Sequence, residues 1–172
     1  MRYAKIRKYD IANGVGIRTS FFITGCDRAC KSCFNEEYMN PLYGKVWTDD
    51  ETKILIDHLS LEEVEGLSIL GGEPFESALS LLKVLEQIRK KTDKSIWIYS
   101  GFTYEILEKI PLARKILSLV DVLIDGEFKE DLKDLSLPYR GSSNQRIIDT
   151  KESLKKNKVI LLSLIHISEP TR

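Results

Sequence analysis

Histidine is scarce in this 172-residue chain, with only His58 and His166, and cysteine is confined to three positions. Neither histidine sits at finger-like spacing from the cysteines, so a closed site of three cysteines and one histidine around zinc lacks its fourth ligand. An odd, sparse set of thiols with no signal-peptide pattern ahead of it gives no disulfide framework, and the expectation is a reducing cytoplasm. Charge of one sign is also lacking: 26 Lys and Arg balance 26 Asp and Glu. No global field recruits nucleic acid or an anionic membrane, although local patches remain. No apolar run approaches the ~20 residues of a membrane helix. Internal repeats and low-complexity linkers are missing too, which leaves one soluble domain long enough to bury its own core.

What is present is concentrated. All three cysteines fall in Gly25-Cys-Asp-Arg-Ala-Cys-Lys-Ser-Cys-Phe-Asn35, with Cys26, Cys30 and Cys33 in CX3CX2C spacing. Three thiolates can hold three irons of a cubane cluster, whereas a closed 4Fe-4S or structural zinc site takes four ligands. One metal position is therefore left for a group that is not cysteine. The spacing alone leaves iron-sulfur, zinc and unrelated thiols open, and favours iron-sulfur, because chance seldom gathers every cysteine of a chain into one short loop.

Strand and helix patterns alternate along the chain. Apolar, β-branched or aromatic runs at Ile17 to Thr24, Leu67 to Leu70, Ser95 to Ser100 and Val120 to Asp125 each end at glycine, and Gln145 to Asp149 and Lys158 to Leu162 add two further candidate strands. Thr48 with Glu51, and Ser60 with Glu63, have capping-box spacing. Ala78, Leu81, Leu82, Leu85 and Ile88 form a helical stripe, and Leu112, Ile116, Leu119 and Val120 repeat it. The pattern predicts an α/β fold, an open partial barrel of about six mostly parallel strands, with the loops at the carboxyl ends of the strands gathered on one functional face. The domain is expected over 1–162. Residues 163–172 continue no element and read as an appended or read-through tail, which discounts His166.

Gly71-Gly72-Glu73-Pro74 ends the second of those strands. Two glycines allow a tight turn and close approach of a ligand, and proline fixes the exit. By itself such a segment is an ordinary turn. Beside the cysteine loop it resembles the radical S-adenosylmethionine superfamily, in which an aromatic residue next to the third cysteine corresponds to Phe34. The resemblance implies that Cys26, Cys30 and Cys33 hold a 4Fe-4S cluster whose fourth iron binds the amino and carboxylate groups of S-adenosylmethionine. It also implies that Gly71, Gly72, Glu73 and Pro74 receive the methionyl amino group, and that reductive cleavage yields methionine and a 5′-deoxyadenosyl radical that abstracts hydrogen.

Within that superfamily the chain is most similar to glycyl-radical-enzyme activases that serve the anaerobic ribonucleoside-triphosphate reductase. The similarity rests on Asn13-Gly-Val-Gly-Ile-Arg18, Cys33-Phe-Asn35, Leu70-Gly-Gly-Glu-Pro-Phe75, Tyr99-Ser-Gly-Phe102, Asp121-Val-Leu-Ile-Asp-Gly126 and Arg140-Gly-Ser-Ser-Asn-Gln-Arg146. It implies two partners, the glycine-bearing loop of that reductase and a low-potential electron donor such as flavodoxin. Asn13 stands where the family usually has aspartate. Ser100 and Asp125 are candidates to touch the cosubstrate, each against the plain reading of a turn residue. Arg140 and Arg146 are candidates to bind a carboxylate or the partner, against the plain reading of a solvated loop. Arg28 and Lys31 are expected to be exposed beside the cluster, Trp97 in the core, and Arg89 on a solvated helix end. Another short radical enzyme, such as a 7-carboxy-7-deazaguanine synthase, and a zinc-stabilised interaction module are the alternatives. No individual catalytic base or acid is assigned.

Overall fold

The computed structural model describes residues 1–28 and 33–164. Cys30, Lys31 and His166 lie outside the described residues. Seven strands form one open sheet: β1 (Arg2–Asp10), β2 (Arg18–Ile23), β3 (Lys45–Val46), β4 (Gly66–Gly71), β5 (Ser95–Tyr99), β6 (Val122–Asp125) and β7 (Arg146–Asp149), in the order β3-β1-β2-β4-β5-β6-β7. The helices are α1 (Asp49–Leu59), α2 (Ala78–Arg89), α3 (Tyr104–Leu107), α4 (Pro111–Leu119) and α5 (Thr150–Lys156).

The α/β alternation is present, with corrections to the number and direction of strands. β2, β4, β5 and β6 run parallel, while β1 pairs antiparallel with both β2 and β3 on one flank and β7 pairs antiparallel with β6 on the other. The sheet is open, with seven strands among the described residues where about six were expected. β1 and β3 were not foreseen. The expected last strand at Lys158 to Leu162 shrinks to a single bridge between Ile148 and Leu161. No helix among the described residues is long and apolar enough to cross a membrane.

Side-chain alternation explains why the central strands read as unbroken apolar runs. Phe21, Ile23, Ile69, Ile98 and Leu123 pack against the helices, where Leu55, Leu81, Leu85, Ile88 and Ile116 meet them. Their neighbours along the strands, Phe22, Leu70, Trp97, Val122 and Ile124, belong to two smaller clusters on the opposite face. Leu81, Leu85 and Ile88 are fully buried on α2 while Lys83, Glu86 and Gln87 are exposed, as a stripe at helical spacing requires.

Caps set the helix boundaries. Thr48 and Glu51 form the reciprocal capping box that starts α1. The same spacing at Ser60 starts nothing, because the Ser60 N–H is spent on the Ile56 and Asp57 carbonyls at the end of α1. Arg89 also departs from expectation: it closes α2 by donating to the Leu119 and Lys94 carbonyls and pairing with Asp121 at 2.8 Å.

Arg18 fixes the amino ends of the parallel strands. It is 1% exposed and makes five hydrogen bonds, to Ser68 Oγ, Val15 O, Ser95 Oγ, Leu67 O and Ser95 O. Its guanidinium also lies over the Trp97 ring, 5.4 Å from the centroid. Burial lowers its pKa to about 10, so it stays charged at neutral pH. A buried charge is tolerated when each donor is used, and here every one is.

Candidate functional site

A cavity of about 570 Å³ opens on the sheet face away from the core helices, at the carboxyl ends of β2, β4, β5 and β6. Cys26, Gly71, Gly72, Glu73, Ser100, Gly101 and Gly126 all line it, so the loops after these four strands converge as the parallel topology requires. Cys33 and Phe34 line it as well. Both Cys26 and Cys33 are half-buried.

The cysteine loop is tied down at its start. Gly25 N–H donates to Tyr38 O at 2.7 Å and Cys26 N–H to Met39 O at 3.0 Å, so a short helical turn, Glu36–Met39, backs the loop. Asp27 N–H donates to the Glu76 carboxylate at 3.2 Å. Arg28 is not the exposed cation expected. Its guanidinium stacks over Phe102 at 4.8 Å, pairs with Glu127 at 3.6 Å and leaves a buried Nε without a partner among the described residues. Phe34 remains 57% exposed, with its ring against Phe128 at 4.8 Å.

The two glycines at the carboxyl end of β4 are there for the cysteine loop as much as for any ligand. Gly71 has φ +127°, and a Cβ on it would lie 2.0 Å from Ile23 O. A Cβ on Gly72 would lie 2.4 Å from Gly25 O and 2.9 Å from Tyr38 O. Real Cβ atoms do not approach backbone so closely. In the gap thus left, Gly72 N–H donates to Ile23 O and Glu73 N–H to Gly25 O, both at 2.8 Å, which brings the glycine turn flush against the residue before Cys26.

Glu73 is 1% exposed and acts as the hub of the turn. Its carboxylate accepts from Ser100 Oγ at 2.9 Å, Gly101 N at 2.7 Å and Phe75 N at 3.1 Å. Burial raises its pKa to about 7 against those hydrogen bonds. Ser100 Oγ also accepts from Phe102 N at 3.0 Å, so its hydroxyl is spent on joining the β4 and β5 turns. Pro74 begins the helical turn Pro74–Ser77 that leads into α2.

Asp125 and Arg146 are brought to each other and do not line the cavity. Arg146 donates to Asp125 Oδ1 at 3.1 Å and Oδ2 at 2.6 Å, and pairs with Glu105. Asp125 Oδ2 also accepts from Tyr104 N at 2.7 Å, at the start of α3. Arg140 differs: it lines the cavity, donates to Gln145 O at 2.8 Å, and keeps a buried Nε with no partner among the described residues.

Sequence reasoning missed the floor and one wall. Lys5 and Arg7 of β1 line the cavity, as do Phe22, Tyr99 and Tyr139. Among the described residues, four lining cations, Lys5, Arg7, Arg28 and Arg140, thus face one lining carboxyl, that of Glu73. The wall suits an anionic occupant. The thiols of Cys26 and Cys33, with no imidazole beside them among the described lining residues, are the soft donors that suit an iron-sulfur cluster. Asn13 Nδ2 donates to Asp10 Oδ2 at 2.8 Å. An aspartate at position 13 would set two carboxylates against each other, which gives this chain a physical reason for the amide.

Over residues 12–148 the chain matches the family described as "4Fe-4S single cluster domain". A protein of Enterobacteria phage T4 is 31% identical over 160 residues, covering 91% of this chain and 99% of its own length. A protein of Pasteurella multocida is 34% identical over 152 residues, covering 86% and 96%. A protein of Escherichia coli K12 is 33% identical over 150 residues, covering 84% and 96%. All three are named anaerobic ribonucleoside-triphosphate reductase-activating protein.

Proposed function

This chain belongs to the family of anaerobic ribonucleoside-triphosphate reductase-activating proteins, with its 4Fe-4S single cluster domain, and on that footing we propose that it installs a glycine-centred radical on such a reductase. The observation that carries the reading is the joining of the cysteine loop to the Gly71-Gly72 turn on the wall of one electropositive cavity. Cys26, Cys30 and Cys33 would hold the cluster and leave one iron for S-adenosylmethionine. Bound there, the two groups would supply one-electron cleavage of the sulfonium and hydrogen-atom abstraction from glycine.

The chain's own residues hold, orient and exclude. Glu73 N–H and Gly72 N–H fix the first cysteine's loop to the β2–β4 edge, so the thiols and the glycine turn keep one spacing. Gly71 and Gly72 edge the cavity where the methionyl amino group would enter. Glu73, Ser100 and Pro74 shape that turn and need not touch the cosubstrate. Phe34 and Phe128 shield one side of the cavity. Arg140, with a donor to spare, is the residue for a carboxylate of the cosubstrate or partner. Asp125 and Arg146 form a brace between β6, β7 and α3, and through it would hold the rim on which the cosubstrate and the partner are received. A low-potential donor such as flavodoxin and a reducing cytoplasm complete the proposal.

The test is anaerobic reconstitution of the full chain. About four iron and four sulfide per chain, and 5′-deoxyadenosine formed only with a reductant present, are expected. A colourless protein that binds zinc and cleaves nothing would instead make it an interaction module.

A further inference from the structure

The sheet is unfinished along β1. One side of this strand pairs with β2 over most of its length, while the other pairs with β3 at Arg2 and Tyr3 only. Among the described residues no strand or bridge covers the outer side of Lys5 to Tyr9. A free edge of this kind offers backbone N–H and C=O groups to another chain.

Its charge restricts what can pair there. Arg2, Lys5, Arg7 and Lys8 all lie on this strand, in a chain whose formal net charge is zero. Its single acid, Asp10, is 4% exposed and spent on Ala12 N, Asn13 and Ser20 Oγ. Two copies meeting edge to edge would oppose cation to cation, which disfavours self-association. An acidic strand meets no such penalty.

The edge also borders the functional cavity. The Lys5 ammonium and the Arg7 guanidinium both lie over the Phe22 ring, 5.0 and 5.3 Å from its centroid, on the cavity wall. Ile6, between them, packs towards the helices. A strand added to β1 would run along the rim with alternate side chains beside Lys5 and Arg7.

We propose that the free edge of β1 receives an extended, acidic segment of the reductase, which pairs with Lys5 to Tyr9 as an added strand and delivers the glycine loop to the cavity beside it. This rests on the reading of the reductase as substrate. Main-chain pairing would supply affinity, and the cations register and rate of encounter.

The experiment is backbone hydrogen exchange on the anaerobically reconstituted full chain, with and without the full-length cognate reductase. Exchange across Lys5 to Tyr9 is expected to slow about tenfold or more in the complex. Alongside it, Lys8→Glu, on the same strand but outside the cavity lining, should weaken the reductase about threefold or more and flatten the salt dependence of binding, with cluster content retained. Lys8→Gln should do the same more weakly, and serves if the reversal misfolds. A complex that forms and acquires its glycine radical while exchange across β1 is unaltered overturns the edge proposal and leaves the activase reading standing. A reductase that neither binds nor acquires a radical overturns both.

Discussion

Gly72→Ala is the smallest change that should uncouple the cysteine loop from the sheet. The added methyl would lie 2.4 Å from Gly25 O, against ordinary contact of about 3.4 Å or more, so one of two backbone segments must move by about 1 Å. Neither neighbour is the pliable end of a side chain. The movement needed is enough to break the Glu73 N–H to Gly25 O hydrogen bond, now 2.8 Å, and to leave a buried donor without its partner. Such a loss costs about 2 kcal/mol, or roughly 4–8 °C in melting temperature for a chain of this length. Because Gly25 precedes Cys26, the displacement falls on the first thiol. Thermal melting of the apoprotein, followed by iron and sulfide analysis after anaerobic reconstitution, reads both consequences. We expect a lower melting temperature and incomplete cluster loading that excess iron does not restore. A variant that melts within 1 °C of the parent (well under half of that shift) and loads fully would refute the claim that the glycine turn holds the loop.

Replacing Cys26, Cys30 or Cys33 singly with serine should abolish cleavage of S-adenosylmethionine and cripple cluster assembly while far-ultraviolet circular dichroism stays unchanged, since no other thiol exists in the chain to substitute. Asp121→Asn should cost about 2 kcal/mol at neutral pH by breaking the contacts with Arg89, Lys151 and Ile96 N. Burial raises the Asp121 pKa, yet those donors outweigh it and the net value is lowered, so its contribution is present above the ordinary carboxylate range and lost as pH falls below it. Urea titrations of parent and variant should therefore converge in acid, and an equal gap at every pH would contradict the assignment. Removing residues 165–172 should leave cluster content and melting temperature unchanged, whereas removal from Ser163 takes away Leu164, which packs against the Trp97 cluster, and should lower the melting temperature measurably.

Much of this architecture was legible because the parallel strands are buried on both faces and therefore read as short apolar runs ending in glycine. Thr48 with Glu51 was legible because both partners of the capping box lie within one turn. β1 was not, for an equally physical reason. Its cavity-side positions are Lys5 and Arg7, so the apolar alternation that would reveal a strand is replaced by cations facing a polar cavity. Ser60 with Glu63 shows the reverse error, in which a local signal is overridden by the preceding helix claiming the same N–H. At the site, Cys26, Cys33 and the glycine turn could be brought together from strand order alone. The Asp125–Arg146 pair could not, because the partners are 21 residues apart and their meeting depends on the antiparallel return of β7. Nor could the role of Gly72, which is visible only once Gly25 O is found where its Cβ would be.

The central claim is tested most directly by electron paramagnetic resonance of the cognate reductase after anaerobic incubation with the reconstituted protein, S-adenosylmethionine and a one-electron reductant. A glycine-centred doublet should appear on the reductase together with 5′-deoxyadenosine, and should vanish when the reductase's radical glycine is replaced by alanine. Cleavage of S-adenosylmethionine by an intact cluster with no radical on the reductase would contradict the account.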